Sequence, residues 1–123
     1  MINATIDQYL SIRVRLEFIG NNGANVSYDA LFDTGFSEYF SLPRHLIDVL
    51  GYTETDREIM ILGDGTQREI SIYEGHIIWD GQEQNAAIHC LDDDALVGMR
   101  QIENYLVTIP VRVGETATLV YML

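Results

Sequence analysis

Cysteine is all but missing from this chain. A single thiol, Cys90, in 123 residues rules out an intramolecular disulfide framework. Proline is almost as scarce, with only two, and no low-complexity, serine-rich or repeated segment separates the halves, so one domain over residues 1–123 is expected. Long apolar runs are absent too. No segment approaches transmembrane length, and Met1 to Leu10 has neither the basic start nor the apolar centre of a secretory signal. A soluble, cytoplasmic protein without a membrane partner is the expectation. Basic residues are few: seven against 19 acids leave a net charge of -12, and Arg13 and Arg15 belong to no basic stripe. A nucleic-acid partner is therefore not expected. Such an acidic surface repels phosphate and anionic membranes, attracts cationic peptides, and self-associates more easily where low pH partly neutralises it.

What is present suffices for a core, since 47% of residues are apolar. Ile12, Val14, Leu16 and Phe18 alternate with Arg13, Arg15 and Glu17, the period of a half-buried strand. Asn21-Asn22-Gly23 tolerates positive φ, so Ser11 to Ile19 and Ala24 to Phe32 read as a hairpin. A short helix is predicted from Pro43 to a stop at Gly51, with Leu42, Leu46, Val49 and Leu50 on one face. Glu58 to Leu62 and Thr66 to Tyr73 flank Gly63-Asp64-Gly65, and Asp80-Gly81 joins Gly75 to Trp79 with Glu83 to Leu91. Met99 to Asn104 suits a second short helix with Ile102 inward. Tyr105 to Val113 and Thr116 to Leu123 read as final strands around Gly114-Glu115, the first at an edge because of Pro110. Short strands at regular spacing predict an all-β barrel or sandwich rather than βαβ units.

The first hairpin delivers Asp33. In Ala30-Leu31-Phe32-Asp33-Thr34-Gly35-Phe36-Ser37 an ionisable residue follows three apolar ones and enters a tight turn. Burying a carboxylate there is costly without partners, and sites that perturb carboxylates are those that do acid-base chemistry. The plain alternative is an ordinary turn at a strand end. The longer string Asp33-Thr34-Gly35-Phe36-Ser37-Glu38-Tyr39-Phe40-Ser41-Leu42-Pro43, with Ala95-Leu96-Val97-Gly98-Met99 downstream, resembles the retropepsin-like aspartic proteases of the retroviral protease clan, in particular their bacterial members. The resemblance covers about residues 12 to 110.

That resemblance implies a closed, all-β acid-protease barrel with one or two short helices, active as a homodimer on an extended polypeptide substrate, with no cofactor and no metal. Aspartic proteases hold two carboxylates so close that both cannot ionise; the ionised one takes a proton from water while the protonated one donates to the peptide carbonyl. This chain has a single Asp-Thr-Gly, so the second carboxylate must come from Asp33 of another copy across a two-fold axis. The resemblance assigns Asp33, Thr34 and Gly35 to the catalytic site, with the Thr34 hydroxyl bonding across the axis. Gly35, lacking Cβ, allows a sharp turn and close approach. Gly63, Asp64 and Gly65 fall where the family carries its flap, and Leu96 and the residues before it line substrate pockets by resemblance. A bare hairpin tip is the alternative for the glycines.

For Asp92-Asp93-Asp94 a solvated acidic loop competes with a sharper reading, in which Asp93 or Asp94 borders the cleft and favours basic substrate side chains; calcium is a third, weakened by the lack of alternating ligand spacing. His76, His89 and Cys90 lack zinc spacing, and adjacent His89 and Cys90 on a strand face opposite ways. Glu38 and Arg100 depart from the bacterial pattern, and their mutual pairing is left open. Two rival readings stand beside the peptidase: a non-catalytic dimerisation or peptide-binding module on the same fold, and an unrelated β-barrel binding protein.

Overall fold

In the computed structural model, which describes residues 1–92 and 95–123, the alternating segments are strands. They are β1 (Ile2–Ile6), β2 (Ile12–Ile19), β3 (Asn25–Phe32), β4 (Phe40–Leu42), β5 (Thr53–Ile61), β6 (Gln67–Trp79), β7 (Gln82–Cys90), β8 (Leu96–Val97), β9 (Tyr105–Thr108) and β10 (Thr116–Tyr121). Among the described residues there is one helix, α1 (Arg44–Leu50), and none is long and apolar enough to cross a membrane.

The sheet runs β5-β6-β7-β4-β8-β3-β2-β1-β10-β9, and an extra pairing of β6 with β2 closes β6, β7, β4, β8, β3 and β2 into a six-stranded ring. Closure removes strand edges that would otherwise be free to pair elsewhere. Val14, Leu16 and Phe18 point into the ring while Arg15 and Glu17 point out; Arg15 pairs with Asp29 directly opposite it on β3, at 3.1 Å. Inside, Phe18 meets Phe40 edge-on at 6.2 Å, and Phe40 meets Trp79 at 5.8 Å.

Turn chemistry fixes the hairpins. Between β2 and β3, Gly20 N–H donates to Ala24 O at 2.8 Å and Gly23 sits at φ +85°. Between β6 and β7, Asp80 and Gly81 both have positive φ (50° and 80°), giving the two-residue turn that suits strand twist. Tyr52, just beyond α1, shares its buried hydroxyl proton between the carbonyls of Ile19 and His76, each 2.9 Å away.

Several details differ from the sequence reading, among them β1, β4 and β8, which it did not contain, and β5, which starts at Thr53 rather than Glu58. Ile47, not Val49, completes the buried face of α1 with Leu46 and Leu50, and Val49 is half exposed, being turned about 100° from Leu50 around the helix. The segment 99–104 is a series of overlapping four-residue turns rather than a helix, with N–H groups of Gln101, Ile102 and Glu103 bonded to carbonyls of Gly98, Met99 and Arg100; Ile102 is inward all the same. The two strands expected on either side of Glu74 are one strand, β6, in which Gly75 lets the backbone pass Ile88: a Cβ there would lie 2.5 Å from Ile88 Cγ1. β9 is an edge strand, as Pro110 predicts, but it ends at Thr108.

Because β7 meets β6 only from Ile72 onward, residues 67–71 of β6 pair with β5 alone. The outer β5–β6 hairpin is a two-stranded ribbon projecting from the ring, with Ile59 and Ile61 largely exposed.

Candidate active site

Asp33 is placed by a short parallel pairing. β8 lies between β3 and β4, which are consecutive in sequence. Leu31 N–H donates to Ala95 O at 2.8 Å, and Asp33 N–H donates to Val97 O at 3.0 Å, so the pairing lasts until the residue that leaves the sheet. The chain then turns: Phe36 N–H reaches Asp33 O at 3.2 Å, and Gly35 N–H donates to Asp33 Oδ1 at 2.8 Å. A Cβ on Gly35 would stand 3.2 Å from that oxygen, which is why a residue without one lets the backbone lie so close to the carboxylate. Asp33 is half-buried, and Thr34 and Gly35 are exposed.

The loop is held from behind. Phe36 is buried with its ring edge-on to His89 at 5.7 Å. Its carbonyl accepts from Met99 N–H, and the Tyr39 carbonyl accepts from Gly98 N–H, both at 2.8 Å. Gly98 packs so tightly on the Glu38 carbonyl that a Cβ would overlap it. Ser41, fully buried, accepts from Leu96 N–H at 3.1 Å through its hydroxyl. Arg100 sits 3.7 Å from Glu38 and 5.9 Å from the centre of the Tyr39 ring, so the two departures from the bacterial pattern compensate one another's charge.

A cavity of about 350 Å³ opens beside this loop, lined by Leu10, Ser11, Ile12, Leu31, Phe32, Asp33, Thr34, Leu96 and Ile109. It brings together Asp33, Thr34 and Leu96 of the sequence-predicted residues; Leu10, Ser11 and Ile109 carried no signal that would have added them. Gly63, Asp64 and Gly65 do not line it. They form the tip of the projecting hairpin, where Leu62 N–H donates to Thr66 O at 2.8 Å and Gly65 has φ +84°. Asp64 Oδ1 accepts from Thr66 N–H at 3.0 Å and from the Thr66 hydroxyl at 2.6 Å, and these bonds hold its carboxyl below the usual range. Asp93 and Asp94 lie outside the described residues. Asp92 is exposed and bonded to Arg68 of the hairpin at 2.6 Å. A larger cavity of about 560 Å³, among Trp79, Asp80, Tyr105 and Tyr121, includes none of the Asp-Thr-Gly residues.

One grouping has no counterpart in the sequence reading. His89 is 2% exposed and places Nε2 2.7 Å from Glu58 Oε1 on β5. Donor atoms of Glu38, Glu58 and His89 all lie within 4.8 Å of one another. Glu58 and His89 are 31 residues apart, and no local pattern links them. Cys90 faces elsewhere, and burial pushes its thiol up, away from the thiolate a metal would need.

Neither a scan of protein-family models nor a search of curated proteins finds a match to this chain. Among solved structures the chain is similar to a retropepsin-like aspartic protease from Rickettsia conorii, with a TM-score of 0.67 at 19% sequence identity, over 98% of this chain and 89% of that one. At that identity the likeness is one of fold.

Proposed function

We propose that the chain is an aspartic endopeptidase whose active site forms when two copies bring their Asp33 carboxylates together. The observation that carries this reading is the seat of Asp33: half-buried at a strand end, fixed by Gly35 N–H, and open to a cavity within a retropepsin-like barrel. Ile109 of that cavity also begins a stretch of exposed apolar residues, including Val111 and Val113, and Val120 in β10 and Met122 just after it are exposed as well. Apolar surface of this kind supports self-association.

In the dimer the paired carboxylates share one proton, because two charges at hydrogen-bond distance cannot both be ionised. Water lies between them. Its oxygen attacks the peptide carbonyl carbon as its proton passes to the ionised Asp33, while the protonated Asp33 donates to the carbonyl oxygen. The resulting gem-diol collapses: the ionised carboxylate takes a gem-diol hydroxyl proton while the protonated one gives its proton to the leaving nitrogen, the C–N bond breaks to an acid and an amine, and the pair again shares one proton. Gly35 N–H holds Asp33 Oδ1 in place throughout. Substrate binds as an added strand under the β5–β6 hairpin, whose Gly63-Asp64-Gly65 tip acts as a flap, with Leu96 and the exposed apolar side chains Ile59 and Ile61 against it. Asp93 and Asp94 favour basic substrate side chains in this reading.

The test combines light scattering with cleavage of a peptide library across acidic and neutral pH. Dimers that cleave, with cleavage blocked by a statine-type mimic of the gem-diol and abolished in Asp33→Asn, support the reading. Dimers that bind peptides without cleaving them under any condition indicate a binding module, and a strictly monomeric protein overturns the proposal.

A further inference from the structure

We propose that Glu38, Glu58 and His89 form a binding site for one divalent transition-metal cation, zinc foremost, which fastens the projecting β5–β6 hairpin to the loop that carries Asp33. The three residues come from three elements: the loop after the Asp-Thr-Gly turn, β5, and β7. Their donor atoms converge within 4.8 Å. Two carboxylates brought this close repel one another, in a chain whose net charge is already -12, and a cation between them relieves that repulsion. Arg100, 3.7 Å from Glu38 and half-exposed, supplies only part of that relief.

The imidazole gives the group its direction. His89 is buried against the Phe36 ring, its Nδ1 has no hydrogen-bond partner among the described residues, and Nε2 is turned to the carboxylates. One imidazole nitrogen and two carboxylate oxygens, with a fourth position for water, make a donor set suited to zinc. Zinc-bound donors at about 2.0–2.2 Å stand roughly 3.3–3.5 Å apart in a tetrahedron. The present 2.7 Å between His89 and Glu58 is a hydrogen bond, so the ion replaces it by a small outward shift of Glu58, whose side chain is 40% exposed.

A metal there ties three layers together. His89 belongs to the ring, Glu58 to the hairpin, and Glu38 lies five positions beyond Asp33 in sequence. Occupancy therefore restrains the hairpin over the Asp33 loop. That last consequence rests on the peptidase reading, whereas binding itself does not.

The full chain, stripped with a chelator, is titrated with zinc by calorimetry and with cobalt(II) by visible absorption. Expected is saturable binding of one ion per chain at micromolar or lower concentration, d–d bands typical of a low-coordinate N/O site, and a raised thermal midpoint. Glu58→Gln and Glu38→Gln, both on solvent-reachable side chains and so spared the folding risk of His89 variants, should each weaken binding by about tenfold or more and lose the bands. His76→Ala should bind as the parent does. No saturable binding, or equal binding in the parent and both Gln variants, overturns the site. A chain that binds zinc but never cleaves peptide overturns the peptidase reading and leaves the metal site standing.

Discussion

Gly98 and the carbonyl of Glu38 touch with no space for a side-chain carbon between them. This contact presses the end of β8 against the loop that follows Asp33, and the Gly98 N–H to Tyr39 O bond at 2.8 Å holds it there. Gly98→Ala must push the two backbones apart. A loss of about 2–3 kcal/mol in stability is expected, seen as a lower urea midpoint with an unchanged slope.

Asp33→Asn keeps the shape of the turn, because the amide oxygen still accepts from Gly35 N–H. It removes the ionisable group. Peptide cleavage should fall by roughly 10³-fold while the thermal midpoint and the oligomeric state stay as they are. Equal activity in parent and variant would refute a role for this carboxylate.

The hairpin tip should respond to acid through Asp64. Its carboxyl is held below the ordinary range by the Thr66 hydroxyl and N–H, so the folded tip favours the ionised form. A group depressed in this way contributes order that is complete above its unfolded pKa and is lost as pH falls through the lowered folded value. Amide signals of Gly65 and Thr66 should therefore stay constant through neutral and mildly acidic pH and shift only at the acidic extreme. Asp64→Asn should remove that transition.

Tyr52→Phe deletes the hydroxyl that the carbonyls of Ile19 and His76 share. The two acceptors come from separate strands, β2 and β6, near the seam where the ring closes. A cost of about 1–2 kcal/mol is expected in chemical denaturation, with cleavage per folded molecule unchanged.

Local rules carried much of this fold. The period-2 run from Ile12 to Phe18 and the turn at Asn21-Asn22-Gly23 gave the hairpin that presents Asp33, and Asp80-Gly81 gave a two-residue turn with positive φ at both positions. They failed where a segment's role depends on a distant neighbour. β1 had no distinguishing pattern of its own, yet it bridges β2 and β10. The segment 99–104 has Met99 and Ile102 at helical spacing, but its carbonyls serve four-residue turns between Gly98 and β9.

The sequence by itself determined that an acidic, cysteine-poor chain of short strands carries one Asp-Thr-Gly at the end of a hairpin, because alternation and turn residues act over a few positions. Only the tertiary structure decided what surrounds it. The parallel pairing of β3 with β8, the closure of β6 on β2, the cavity that draws in Leu10 and Ile109, and the meeting of Glu58 with His89 all depend on register between strands far apart in the chain. Side-chain alternation fixes which face of a strand is buried, but which strand lies beside it is settled by the packing of the whole ring.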